Sequence, residues 1–123
     1  MTKDEYNEFC AELPATSHVV QCGGADVWKV ATKVFAIAGW NSTTETLGVT
    51  FKVSPSDYAS LADQPGIRPA PYLASRGMKW LQHYDAPGLP DELLRMHIVE
   101  SHRIVSLGLS KKKQRELGLN QDG

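Results

Sequence analysis

Apolar residues recur at three- and four-residue steps near both ends of the chain, and at two-residue steps between. Near the N-terminus Tyr6, Phe9, Cys10 and Leu13 form one stripe, the spacing of a single buried helix face. Thr2 and Glu5 stand three apart ahead of it, as in a capping box, so a helix starts at Lys3. Pro14 ends it, because proline cannot continue the hydrogen-bond ladder. From Ser17 the period changes to two. Residues 17–22 and 26–31 are short and β-branched, with Gly23 and Gly24 free to make the turn. Residues 33–40 and 47–53 follow across the polar run 41–46, and Leu47, Val49, Phe51 and Val53 alternate onto one face. These four segments predict an antiparallel meander. Ser54-Pro55 then places a cap and a first-turn proline ahead of a short helix over 55–63.

Residues 64–73, "QPGIRPAPYL", hold three prolines and a glycine. That composition forbids a helix or a central strand and predicts a stiff, extended surface loop. Alternation returns over 76–84, with Met78, Trp80, Gln82 and Tyr84 on one face and Lys79, Leu81 and His83 on the other. Trp80 is expected between the sheet and the last helix. That helix is predicted over 90–107, with Asp91 and Glu92 in its first turn, where carboxylates suit the dipole, and with Leu94, Ile98, Ser101 and Val105 inward. Gly108 closes it, and Ser110 caps a short basic turn, "KKKQREL", stopped by Gly118. The order α-β-β-β-β-α-β-α predicts a two-layer α+β domain, a sheet meander backed by N- and C-terminal helices. One domain is expected over 1–123, with 110–123 a basic, partly flexible tail.

Composition adds bounds rather than a function. At 123 residues, with 41% hydrophobic and 22% charged residues, the chain suits one soluble domain with a real core. Cys10 and Cys22 are too few for a disulfide scaffold, which favours a reducing compartment. The polar start "MTKDEYNEF" lacks the apolar core of a signal peptide, and "VFAIAGW" is far short of a bilayer span. A cytoplasmic protein with no membrane association is expected. The net charge of −1 hides an asymmetry: residues 1–64 hold eight acids against four bases, and residues 65–123 six acids against nine bases. Between Arg95 and Arg115 only Glu100 opposes six bases. Such a basic end can mark a polyanion site.

Catalytic and metal signatures are absent from the string. His97 and His102 are five apart and point in different directions on a helix. There is no Cys-x-x-Cys pair, nucleophile elbow, phosphate loop or dinucleotide fingerprint. A metal site from His18, Cys22 and His83 on neighbouring strands is conceivable, but hydrogen-bonded strand residues explain them better. Asp4, Glu8 and Glu12 recur at steps of four, as a solvated helix face does. The chain is therefore expected to be non-enzymatic, with no cofactor and no metal site.

Five strings in order resemble one family: "ELPATSHVVQ", "VWKVATKVFA", "FKVSPSDYASL", "PGIRPAPYLASRGMKWLQ" and "LPDELLRMHIVESHRIVSLGLSKKKQ". They are similar to the leucine-proline opening, the lysine-phenylalanine hairpin, the strand and serine-proline cap, the proline-rich loop leading to a tryptophan, and the final helix of the MmcQ/YjbR family. The resemblance covers nearly the whole chain. Two positions depart from it: Cys22 stands where the family often has an aromatic, and Ser101-His102 where it often has Ser-Tyr. The resemblance implies the fold grouped with frataxin-like CyaY proteins and a bacterial DNA-binding or regulatory accessory role. Transferred by position, the nucleic-acid contacts would be Lys33, Lys52, Arg68, Arg76, Lys79, Arg103, Lys111, Lys112, Lys113 and Arg115. Two other roles remain open: a protein-interaction module exposing Ile67, Tyr72 and Leu73, and a weak frataxin-like metal binder. A monomer or weak homodimer is expected.

Overall fold

The computed structural model of the chain describes residues 1–21, 23–71, 73 and 78–121. Its elements run α1 (Lys3–Glu12), β1 (Thr16–Gln21), β2 (Ala25–Val30), β3 (Lys33–Asn41), β4 (Thr46–Lys52), α2 (Pro55–Leu61), β5 (Ile67–Pro69), β6 (Trp80–His83), α3 (Asp91–Ser106) and α4 (Lys111–Glu116). The strands form one six-stranded sheet in the order β1-β2-β3-β4-β6-β5, with every pairing antiparallel. This is the expected α+β class. Among the described residues no helix is long and apolar enough to cross a membrane.

The local signals form as chemistry dictates. Thr2 and Glu5 make a reciprocal capping box at the start of α1. Ser54 and Ser110 cap α2 and α4 through their hydroxyl oxygens. Two expectations change. The stretch 64–73 is not only a loop: Ile67–Pro69 forms the short edge strand β5. An edge tolerates Pro69 because one side of its backbone has no strand to bond. Ile67 consequently points into the core and is 4% exposed, so it is not part of an exposed docking loop. Leu73 is half-buried against the same core, and Tyr72 lies outside the described residues. The last strand is shorter than its alternation suggested, four residues placed between β4 and β5. The basic turn expected after the Ser110 cap forms as α4. Gln114 donates to the Leu109 carbonyl at 2.8 Å, Asn120 donates to Ser106 Oγ at 2.9 Å, and Leu119 is buried.

Residues opposite one another in a sheet share a face. Trp28, Ala36, Phe51 and Leu81 line up across four strands, and Ala38, Val49, His83 and Ile67 make the next row. Helices α1 and α3 cover this face: Asn7 accepts from the Trp28 indole, and the His97 ring stacks on Phe51. The other face carries Val27, Ile37, Thr50, Gln82 and Arg68. Between β2 and β3 the register jumps from Trp28–Ala36 to Lys29–Val34, leaving Phe35 as an extra residue. This bulge puts two consecutive residues, Phe35 and Ala36, into the core. The Phe35 carbonyl lies one rung beyond the last β3–β4 pair, Ala36–Phe51. Ser101, fully buried on α3, donates to that carbonyl at 2.7 Å and accepts from the Lys52 backbone N–H at 2.8 Å. One hydroxyl thus joins α3 to two strands.

Ser101→Ala removes a partner of the Phe35 carbonyl and of the Lys52 amide. The cost should be about 1–3 kcal/mol per orphaned group, read as a lowered urea midpoint. Trp80 is buried as expected, but its indole nitrogen has no hydrogen-bond partner among the described residues. Trp80→Ala should therefore cost about 3–5 kcal/mol, whereas Trp80→Phe, which deletes an unsatisfied donor, should cost far less. His83 and His102 generate a pH prediction. Burial holds both imidazoles below the ordinary histidine value, against the opposing hydrogen bond from His102 to the Pro14 carbonyl. The unfolded chain then binds protons more readily, so their stabilisation is complete above about pH 6.5 and declines as pH falls below it. His83 Nδ1 accepts from the Leu89 N–H at 3.1 Å, an acceptor that protonation abolishes. Urea melts from pH 8 to pH 5 should show this decline, and His83→Asn should make it shallower.

Candidate polyanion-binding surface

The C-terminal half of α3 packs beside the ends of β3 and β4, and basic residues gather there. One cleft of about 450 Å³ is lined by Lys52, Lys79 and Arg103 around Val53, Ser54, Pro55, Met78 and Ile104. A second, of about 260 Å³, adjoins it through Lys52 and Ile104, adding Lys33, Val34, Trp80, Val105 and Gly108. Four of the ten residues expected from the sequence therefore meet around one surface. They come from the first residue of β3, the last of β4, the segment entering β6, and α3. Met78 and Ile104, which floor the surface, were not among the expected site residues. Their apolar character reads as core in the sequence, and only their position beside the lysines gives them a role.

The charges differ in availability. Among the described residues Lys33, Lys52 and Lys79 have no acid within 4.0 Å. The Lys79 ammonium sits 4.7 Å from the Tyr58 ring centroid, a cation–π contact that leaves its charge uncompensated. The Lys33 stem passes Gly108 just beyond α3, where the negative end of the helix dipole holds part of its field. Arg103 is already engaged: its Nε donates to Glu100 Oε2 at 3.0 Å and an Nη donates to the other oxygen. The Arg103 hydrogen bonds hold the Glu100 carboxyl below its usual value. Arg103 thus contributes a rim rather than a free charge.

The remaining expected contacts lie elsewhere. Lys111, Lys112, Lys113 and Arg115 are exposed on α4, with Lys113 4.0 Å from Glu116. Lys111 and Arg115 border a separate shallow hollow with Gln114 and Asn120. Arg68 is on the edge strand, with its Nε on Gln82 Oε1 at 2.8 Å and its guanidinium over Tyr84. It does not join the clefts. Arg76 lies outside the described residues.

The conceivable metal ligands are not assembled. His18 and His83 sit on β1 and β6, four strand spacings apart, or about 19 Å. Each has another partner. His18 Nε2 is 2.7 Å from Asp26, and His83 bonds Leu89. Burial pushes the Asp26 carboxyl up, but the His18 hydrogen bond and Lys3 outweigh it and leave it below its usual value. This cluster latches the start of α1 to the sheet. Cys22 lies outside the described residues. Burial raises the Cys10 thiol to about 12, which makes it an inert core group. Among the described residues no three His, Cys, Asp or Glu side chains, including Asp4, Glu8 and Glu12, form a group able to hold a metal ion.

Comparison with known proteins places this architecture. A crystal structure of the Deinococcus radiodurans protein DR2400, with family-model domain DUF419, superposes with a TM-score of 0.82 at 25% identity, covering 99% of this chain and 91% of that one. None of the curated proteins matches the chain. The YjbR family model matches residues 11–104, from the end of α1 through Ile104 of α3, the span that contains the whole sheet and Lys33, Lys52, Lys79 and Arg103. The chain belongs to the YjbR family.

Proposed function

We propose that this protein is a non-enzymatic nucleic-acid-binding accessory protein that grips a phosphate backbone at the joined clefts. The observation that carries the reading is the convergence of Lys33, Lys52 and Lys79, without paired acids among the described residues, on one surface with an apolar floor. Lysine ammonium groups neutralise phosphates and release counterions, and Val53, Met78 and Ile104 offer apolar contact to sugars and unstacked bases. Backbone contacts of this kind position a protein without specifying sequence. The exposed lysines of α4 extend the basic region beyond Gly108 as an auxiliary grip. Because the chain is slightly acidic overall, attraction is local rather than long-ranged. The acids of α1 stand apart: Glu5, Glu8 and Glu12 border a hollow with Phe9 and Arg95, away from the clefts. The protein-interaction alternative loses its centre with the burial of Ile67.

Anisotropy titrations of labelled duplex and single-stranded DNA over a range of salt test this. Dissociation constants of about 10⁻⁴ to 10⁻⁶ M are expected at physiological salt. The double variant Lys52→Gln/Lys79→Gln should weaken binding equally across sequences and flatten the salt slope by roughly two units. The triple variant Lys111→Gln/Lys112→Gln/Lys113→Gln should flatten it by up to roughly three. Arg68→Gln should leave it unchanged. An unaltered slope in the Lys52/Lys79 variant would remove the clefts as the site.

A further inference from the structure

The two edges of the sheet are built differently. β5 has three residues, and two of them, Arg68 and Pro69, are a charge and a proline that blunt an edge. β1 has six residues, and from Ala15 to Gln21 the sequence holds no Lys, Arg, Asp, Glu or Pro. Its pairing with β2 is regular from Thr16–Val30 to Gln21–Ala25. The Ala31 N–H donates to the Ala15 carbonyl, which makes 15–31 a hydrogen-bonded pair. Such pairs alternate along an antiparallel ladder. Ser17, Val19 and Gln21 therefore spend their backbone groups on β2, and the N–H and C=O groups of Thr16, His18 and Val20 point away from the sheet. Among the described residues no hydrogen bond reaches these outward groups. Thr16 and His18 bond their neighbours through Oγ1 and Nε2 instead. The strand is open to solvent: Val20 is 59% exposed, and Ser17, His18 and Gln21 are exposed as well.

We infer that the edge of β1 is where two copies of this chain join, β1 antiparallel to β1 across a two-fold axis normal to the sheet, fusing two six-stranded sheets into one. Unpaired backbone donors and acceptors along a sheet edge select an extended strand as partner, and the same edge of a second copy supplies both in matching positions. With the axis at His18, Thr16 pairs with Val20 of the second copy, His18 with His18, and Val20 with Thr16. All three residues are outward-facing in both copies. Each pair therefore exchanges two N–H···O bonds, and every outward group is used. The pairing sets β-branched Val20 beside β-branched Thr16 and covers the exposed valine. Space at the axis is already made: each His18 ring is drawn back over its own Trp28, at 4.9 Å between centroids, and onto its own Asp26. A segment without lysine, arginine or carboxylate does not repel its copy, as a charged edge would. Six hydrogen bonds are fewer than the roughly ten of a typical interface, so the dimer is weak and dissociates on dilution. The inference stands apart from nucleic-acid binding, because it uses no residue of the basic clefts.

Sedimentation of the full chain over a wide range of concentration, joined to residue-by-residue amide exchange, tests it. A reversible monomer–dimer equilibrium is expected. Between dilute monomer and concentrated dimer, exchange at Thr16, His18 and Val20 should slow by about tenfold, while Ser17, Val19 and Gln21, already bonded to β2, should not change. Val20→Pro removes an outward N–H and no bond to β2, a substitution that an edge strand tolerates. It deletes two hydrogen bonds per dimer and should weaken association by at least about tenfold. Circular dichroism and a urea melt establish that the variant is folded, and the exchange pattern of the parent needs no variant. The inference is overturned by a parent chain that stays monomeric at all concentrations, which would leave the edge to an extended segment of another protein. It is overturned equally by a dimer whose new protection misses these three amides, or by a folded Val20→Pro chain that associates as the parent does.

Discussion

The hydroxyl of Ser101 holds the two layers of this protein in register. Among the described residues it is the one side chain that bonds two strand backbones at once, donating to the Phe35 carbonyl and accepting from the Lys52 amide. Both bonds lie where water does not compete, so their alternatives are unpaired polar groups rather than solvated ones. The β3–β4 register ends at Ala36–Phe51, and the hydroxyl stands between the backbone groups of the next two residues, Phe35 and Lys52. Hydrophobic packing of Leu94, Ile98 and Val105 supplies attraction without direction, and the serine supplies the direction.

That registration also places the basic surface. Lys52, whose amide bonds Ser101, turns its side chain into both clefts. Lys33 is two residues before the bulged Phe35, and Arg103 and Ile104 follow Ser101 by less than one helical turn. A single buried contact therefore sets the spacing between charges drawn from two strands and a helix.

His102 illustrates how a departure from the family pattern is absorbed. Where Ser-Tyr is common, this chain has an imidazole that donates to the Pro14 carbonyl at 2.8 Å and meets Phe35 edge-on. The carbonyl can only accept, so Nε2 carries the proton and the ring is held neutral by burial. The residue ties the end of α1 to α3, which is a structural use and needs no phenol.

By itself the sequence determined the elements whose causes are local. The Thr2–Glu5 box, the serine caps, the two-residue alternation of the meander and the inward face of α3 are each written in a few consecutive residues, and each formed as its chemistry requires. Prolines misled where context overrode propensity: β5 exists because an edge strand asks for bonds on one side only, and Ile67 is buried because that strand lies against β6. Which lysines stand together was not legible. Lys33, Lys52 and Lys79 are many residues apart, and nothing in the string distinguishes them from Arg68, which sits on the sheet's far edge bonded to Gln82. Their convergence depends on strand order and on the Ser101 register, both fixed by contacts between distant segments. Short-range patterning carries the elements, and only the tertiary fold can bring separated charges to one surface.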